Sequence, residues 1–526
     1  MVVLFGWNLL FPPPQQPQKA PSTEQSAGQP AAKAPAAEIG ISSPSESGPV
    51  KTAPAGRKIT VSTPLYTAVL NTDGGILLEF RLTKFKETIE PGSPSVDLIG
   101  PKAQALNPMA LTLGGKAVWK DLQQKDLTLK VGDSGVLTFS GELNGVEIVR
   151  EISFSGDSYL LKEKCRVANK TQNRIKGNVN FTLASPGLSP ADDKYNQTRV
   201  ASFSNSGFSE ITSTSDLEKG VKVENGLFWG GVQSNYFLSA LLPAMHNDKP
   251  ADASFRAKTL DSIFIFSVEA PLAEIEPGAE QTVFCDYFLG PKEQKVLDSM
   301  PNQLGRAIDL GWFDFIAKPL LVGLNFLYGY VGNYGMAIII LTIIIKILLW
   351  PLSYKSYKSM EQMKKLQPMM TKLREKYADD RQKMNEELMS LYKTYKVNPA
   401  GGCVPMFLQI PVFIGLYQAL LNAIDLRHAP FIVHLPFTNL IWLADLSLKD
   451  PYYITPLVMG GTMFLQQKMT PAPGDPTQAK IMLFMPVFFT FLFLSFPSGL
   501  VVYWLVNNVL SIGQQWWMLR SKPSAA

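Results

Sequence analysis

The sequence predicts a two-part membrane protein: an antiparallel β-sandwich on the outer side of a membrane, joined to an α-helical transmembrane bundle. Three observations predict it. First, hydrophobic residues make up 46% of the 526 and charged residues only 18%, which is apolar for a soluble chain. Second, that excess is uneven: residues 58–300 break into short β-type runs separated by turn signals, whereas 301–520 carry long apolar runs of helical length. Third, basic residues crowd into one inter-helix segment, 353–399, and are nearly absent from the next, 425–451; such asymmetry fixes orientation in a bilayer.

The opening run "MVVLFGWNLLF", residues 1–11, is apolar but short, since a spanning helix needs about 20 residues. It reads as the back half of an N-terminal transmembrane anchor whose front would lie upstream of Met1, or as an apolar terminus that spans nothing. Residues 12–57 are dominated by Pro, Ala, Ser, Gln and Gly. They cannot bury enough apolar surface to fold and read as a disordered tether.

From residue 58 the pattern changes. "ITVSTPLYTAVLNT" and "ILLEFRLTKF" flank Asp73-Gly74-Gly75, and "GVLTFSGEL" and "VEIVREISF" flank Asn144-Gly145. An Asn-Gly pair accepts the positive φ of a type I′ turn, so the second reads as a tight hairpin. Strand-like runs continue to "QTVFCDYFL" with no long helical period between them, giving one large antiparallel sandwich over 58–300.

Residues 301–520 read as helices. An amphipathic helix over 302–317, with Trp312, Phe313 and Phe315, is expected to lie in the membrane surface. Five candidate spans follow at roughly 333–352, 405–424, 452–467, 481–496 and 499–517. The third and fourth are short for a hydrocarbon core of about 30 Å, and short spans thin the bilayer. Between the first two lies 354–396, which contains Lys364, Lys365, Lys372, Arg374, Arg381 and Lys383. Its apolar residues recur at helical spacing as Leu366, Met370, Leu373 and as Met384, Leu388, Leu391, Tyr392, which makes a helical hairpin around "ADD" at 378–380. The positive-inside rule places this hairpin and the short tail 521–526 in the cytoplasm and the β domain outside. With the anchor the count is six spans, both termini inside. Basic helices beside a bilayer suit anionic lipid headgroups or ribosomal RNA.

Lys346 stands inside "LTIIIKILLWPL". A lysine near mid-helix costs about 2.5–3.5 kcal/mol on insertion scales. It can snorkel along its own stem to the interface, or face a watery cavity. The other spans favour the cavity. Thr342 lies one turn back on the same face. Gln409, Gln418 and Asn422 occupy the next span, Gln466 and Gln467 end another, and Tyr503, Trp504, Asn507 and Asn508 lie in the last. Each needs a polar partner inside lipid. Gln466 and Gln467 also fit an interfacial position, Asn507 and Asn508 fit helix–helix hydrogen bonding, and Tyr503 and Trp504 fit plain packing. No carboxylate falls inside the spans, so water, polar side chains or an acidic substrate segment would answer the charge.

Several chemistries lack support. The three cysteines, Cys165, Cys285 and Cys403, form no CxxC pair, and no HExxH or GxxxxGK[ST] motif occurs, so neither a metal nor a nucleotide cofactor is called for. Cys165 and Cys285 share the outer domain, and spacing leaves their pairing open. The histidines, His246, His428 and His434, lie outside the well of any span, against an intramembrane protease. A secondary transporter would show inverted repeats, and none is seen. A net charge of +5 is too mild to imply DNA.

The ordered motifs "WPLSYKSYKSM", "KVNPAGGCVPMFLQIPVFIGLYQAL", "DLRHAPF", "DPYYITPLVMGGTMFLQQKM" and "FMPVFFTFLFLSFPSGLVVYWLVNN" resemble the YidC membrane-protein insertase family of bacteria. The resemblance covers about 301–520, and the β domain is similar to the periplasmic domain of Gram-negative members, a galactose-mutarotase-type supersandwich. It implies an inner-membrane protein that moves nascent transmembrane segments from the cytoplasm into lipid, alone or with the Sec translocon. It implies a hydrophilic groove open to lipid and cytoplasm and closed outward. The family usually carries arginine where this chain has Lys346, which keeps the charge but loses the forked donor. Thr342, Gln467, Tyr503 and Trp504 match groove-lining positions, Asn507 and Gln418 join them as polar residues of the spans, and 354–396 matches the cytoplasmic helices. The tail lacks the long basic ribosome-binding extension of some members. The resemblance also raises a sugar-processing role for the β domain, but fold does not fix function, and one histidine without a catalytic pair favours binding or scaffolding.

Overall fold

The computed structural model describes residues 39–40, 56–113, 118–120, 125–189, 193, 195–224, 226–246, 249–250, 252–377, 380–395, 397, 404–470 and 476–520. The expected anchor 1–11, most of the tether 12–57, Ala378, Asp379, Lys396, Cys403 and the tail 521–526 lie outside these residues.

The β domain is built from strands whose side chains alternate between core and surface. Val146–Ser155 alternates buried and half-buried without a break, as period-2 geometry requires of a strand with one covered face. It pairs with Ser134–Leu143 in a register where Leu143 faces Val146. Between them Asn144 and Gly145 both take positive φ, 48° and 80°, so the tight hairpin read from the sequence is present. Among the described residues this hairpin belongs to a nine-stranded sheet, beside a six-stranded and a five-stranded one. The nine-stranded sheet runs from Gly207–Ile211 at one edge through Phe237–Pro243 and Glu280–Pro291 to Val118–Lys120 at the other. A single apolar core joins the sheets, with Tyr66, Phe139, Phe181, Trp229, Phe255 and Phe288 essentially inaccessible.

One charged pair sits inside that core. The Arg150 guanidinium makes a bidentate pair with Glu163, Nε to Oε1 at 2.7 Å and Nη2 to Oε2 at 2.8 Å, with both side chains fully buried. Its remaining donors reach the carbonyls of Met109 and Gly74. Cys165 and Cys285 are both buried free thiols, and burial pushes both upward in pKa.

The helical part begins later than the sequence pattern implies. Over 302–317 the structure has two short 3-10 turns, Leu304–Ala307 and Gly311–Phe313, before helix α1 at Asp314–Val331. The expected surface helix fails because Asn302, Gln303 and Gly311 hold positive φ, while the Asp309 side chain accepts from Gly311 N and turns the chain. Then come α2 (Tyr334–Leu348), α3 (Trp350–Lys376), α4 (Arg381–Thr394), α5 (Val404–Asn422), α6 (Ile454–Met469), α7 (Pro476–Phe493) and α8 (Ser498–Arg520). Among the described residues no single helix is long and apolar enough to cross a membrane; α2 and α3 taken together have the length and composition, with a 63° bend between them that fits a broken span or a re-entrant loop. Pro351 stands in the first turn of α3, where a missing N–H costs nothing.

The β domain sits on one end of the bundle. Asn235 Nδ2 donates to Leu421 O at the end of α5 (3.2 Å), the Tyr195 hydroxyl meets Ser495 Oγ beyond α7 (3.2 Å), and Arg427 Nη2 donates to Glu87 O (3.1 Å). The α3–α4 hairpin leaves the other end of α2. Its two helices pack through Leu366, Met370, Leu388, Leu373, Met384, Leu391 and Tyr392, the residues of the helical period.

Candidate functional site: a polar crevice between four helices

Lys346 lies in the last turn of α2, two residues before the helix ends. This is nearer the helix end than a 333–352 span would put it, because the chain bends at Leu349. A cation there also faces the negative end of the helix dipole. Its side chain is half-buried, and Nζ donates to Ser511 Oγ on α8 at 2.8 Å. Ser511 Oγ in turn donates to Asn507 O at 2.7 Å, and Tyr357 of α3 is a further neighbour of Ser511. One hydroxyl thus gathers groups from α2, α3 and α8.

Around this centre runs a narrow crevice lined by Ile345, Lys346 and Leu349 of the α2 end, Leu352 and Ser353 of α3, Gln409 of α5, and Tyr503 and Asn507 of α8. Its enclosed volume is about 10 Å³, room for about one water molecule, and the rest of the crevice is open mouth. Tyr503, Asn507 and Ser511 recur every four residues along α8, so all three share one face of it. Polar groups from four helices therefore meet where the sequence alone shows isolated polar residues in apolar runs.

The structure brings Lys346, Tyr503 and Asn507 of the expected site together. It places the others apart. Thr342 is 2% exposed, and its hydroxyl donates back to Ile338 O at 2.6 Å, satisfied within α2. Trp504, about 100° round α8 from Tyr503, packs into an aromatic group with Phe413 (4.6 Å between centroids), Phe493 (5.2 Å) and Phe489 (6.1 Å). Gln418 lies toward the β-domain end of α5, where it accepts from Asn422 Nδ2. Gln467 is half-buried in the last turn of α6. Asn508 and Gln515 tie α8 to α6, through Thr462 Oγ1 at 3.5 Å and Met469 O at 2.9 Å, which is the helix-joining role.

Ser511 was missed by sequence reasoning. The signal that finds it is its spacing: it falls four residues after Asn507 and eight after Tyr503.

On the α3–α4 hairpin, Lys364, Lys365, Lys372 and Lys383 are exposed, and Arg374 is half-buried. Lys365 reaches Glu361 at 3.6 Å. Lys376 and Lys383 stand 5.1 and 5.8 Å from the Tyr377 ring, within cation–π range. The Arg381 side chain lies outside the described residues.

A membrane protein insertase YidC of Nitratidesulfovibrio vulgaris (strain Miyazaki F) is 55% identical over 537 residues, covering 99% of this chain and 97% of that protein. The chain belongs to the YidC family of membrane protein insertases. The family described as YidC periplasmic domain matches residues 58–322, and that described as 60Kd inner membrane protein matches 326–525. The YidC of Geobacter sulfurreducens is 43% identical over 476 residues, covering 88% of this chain and 86% of that one. A solved structure described as an active YidC insertase covers 90% of this chain and 95% of its own at 17% identity, with a TM-score of 0.38, too loose a likeness to add to the assignment. Membership in the YidC family makes this a membrane protein insertase of the inner membrane with a periplasmic β domain, rather than a catalyst of covalent chemistry.

Proposed function

We propose that the crevice around Lys346 and Ser511 receives the polar flank of a nascent transmembrane segment as the protein inserts it into the inner membrane. The observation that carries this reading is the meeting of Lys346, Ser511, Asn507, Tyr503 and Gln409 at the bundle end remote from the β domain. In this reading the α3–α4 hairpin and both termini are cytoplasmic, and the bundle has five spans beside an N-terminal anchor. A segment arrives from the hairpin side, and its flank exchanges water for the crevice's hydroxyl and amide groups. Lys346 attracts acidic flanks. The apolar part then moves sideways into lipid, and hydrophobic transfer drives the step without nucleotide hydrolysis. The basic faces of α3 and α4 recruit ribosomes or hold anionic lipid headgroups, and the Sec translocon is a partner for larger clients.

Photo-cross-linking tests this directly. A photoreactive residue at Ser353 or Asn507 captures stalled nascent membrane proteins, and one at Ser206 in the β domain does not. Capture at Ser206 and none at the crevice positions would contradict the reading.

A further inference from the structure

The loop between α5 and α6 carries a two-stranded hairpin, Ile432–His434 paired with Ile441–Leu443. Its surface is unlike that of a water-facing turn. Phe437 at the tip is fully exposed, with a relative accessibility of 107%, and Val433, Leu440 and Ile441 are 43%, 50% and 56% exposed. Residues 428–444 contain no Asp, Glu, Lys or Arg. Phe437 also holds φ at +66°, a conformation that favours Gly or Asn in a tip that only needs to turn.

The backbone is arranged for immersion. Leu435 N donates to Leu440 O at 2.9 Å, Thr438 N and Oγ1 both donate to Leu435 O, and Leu440 N donates to Thr438 Oγ1. Phe431 N closes the base on Leu443 O at 2.8 Å. These bonds pair the groups that face across the hairpin, while its two outer edges stay open, so the hairpin suits the headgroup interface rather than the hydrocarbon centre.

The base is fixed at the end of the bundle that carries the β domain. Asn333 Nδ2, at the start of α2, donates to Phe431 O at 3.1 Å. The Phe431 ring fills the space that a side chain at Gly335 would need. Trp442 Nε1 donates to Asp450 Oδ1 at 2.9 Å, just ahead of α6. The hairpin therefore starts level with the outer ends of α2 and α6, whose own exposed faces carry Met336, Leu457 and Val458. Its apolar surface continues the lipid-facing surface of the bundle.

We infer that this hairpin is a lipid-surface anchor, its tip from Val433 to Ile441 dipping into the outer leaflet beside the bundle. Aromatic and aliphatic residues at the interface lower the free energy of that position. A rigid hairpin rooted on α2 and α6 then fixes the height of the bundle's outer end, and of the β domain above it, relative to the headgroups.

The test uses the full-length protein in lipid nanodiscs, with Phe437→Cys or Ile441→Cys carrying a nitroxide label. Collision with dissolved oxygen, which concentrates in lipid, is compared with collision with a water-soluble nickel chelate. Ser206→Cys in an exposed β-domain turn is the aqueous reference, and the protein with its native cysteines, treated alike, gives the background. The oxygen-to-nickel ratio at both hairpin positions is expected to exceed that at Ser206 several-fold. Equal ratios would place the tip in water and overturn the inference. Suppression of both collisions would also overturn it, by showing the tip covered by protein. Neither outcome depends on Lys346, so failure here is separable from failure of the crevice reading.

Discussion

The Nζ of Lys346 donates to the Oγ of Ser511 at 2.8 Å across the α2–α8 interface. This contact orients a charge that would otherwise sweep a wide arc on its flexible stem. Removing the acceptor leaves a half-buried ammonium short of a partner, which costs about 1–3 kcal/mol. Ser511→Ala is therefore expected to lower insertion of acidic-flank substrates several-fold, with Ser511→Thr close to normal. Insertion into proteoliposomes, scored by protease protection, checks both.

The Arg150–Glu163 pair predicts an asymmetry in the β domain. Breaking a buried pair leaves an uncompensated charge and costs about 3–5 kcal/mol, whereas replacing both members by apolar residues is often neutral. Glu163→Gln should lower the β-domain melting temperature markedly. The double variant Arg150→Met with Glu163→Leu should recover much of the loss, though the carbonyls of Gly74 and Met109 then lose their donor. Calorimetry on the full-length protein distinguishes the two.

Lys292 gives the β domain a pH signature. Its ammonium is buried and donates to Ser234 O at 3.2 Å. Burial, aided by nearby Arg199, brings its pKa down from 10.5 to about 7. Between these values the unfolded chain binds more protons than the folded one, so stability rises with pH. The gain is complete above about 10.5 and lost as pH falls to about 7. Lys292→Met should flatten this slope and stabilise the domain most at neutral and lower pH. Denaturant melts from pH 6 to 10 measure it.

Which features were legible in the sequence follows from the range of the forces involved. The Asn144-Gly145 hairpin and the packing period of α3 and α4 depend on neighbours in sequence, and both appear as read. The start of α1 is not legible in the sequence, because apolar spacing across 302–317 is helical while Asn302, Gln303 and Gly311 take positive φ, which spacing does not report. Lys346, Tyr503 and Asn507 stood out as polar groups in apolar runs. Ser511 did not, because a serine is tolerated in any helix, and only the packing of α2 against α8 brings Lys346 to it. Trp504 is adjacent to Tyr503 in sequence yet about 100° away around the helix, so it joins the aromatic group instead.

The basic hairpin predicts a salt-dependent contact. Lysines near an anionic surface contribute about 1 kcal/mol each. If the hairpin recruits ribosomes as proposed, changing Lys364, Lys365, Lys372 and Lys383 together to Glu should abolish binding of the full-length protein to ribosomes at physiological salt. Leu366→Ala, by loosening the hairpin core, should weaken it less. Co-sedimentation across a salt series reads both effects.

The charge at Lys346 is the centre of the account, and a substitution series in proteoliposomes tests it most directly. Single-span substrates with acidic and with neutral flanks are inserted by Lys346→Arg, Lys346→Glu and Lys346→Leu proteins. Insertion is expected to stay near normal with Arg, and with Glu to be lost largely for acidic flanks alone. Normal insertion of acidic-flank substrates by both the Glu and the Leu proteins would contradict it.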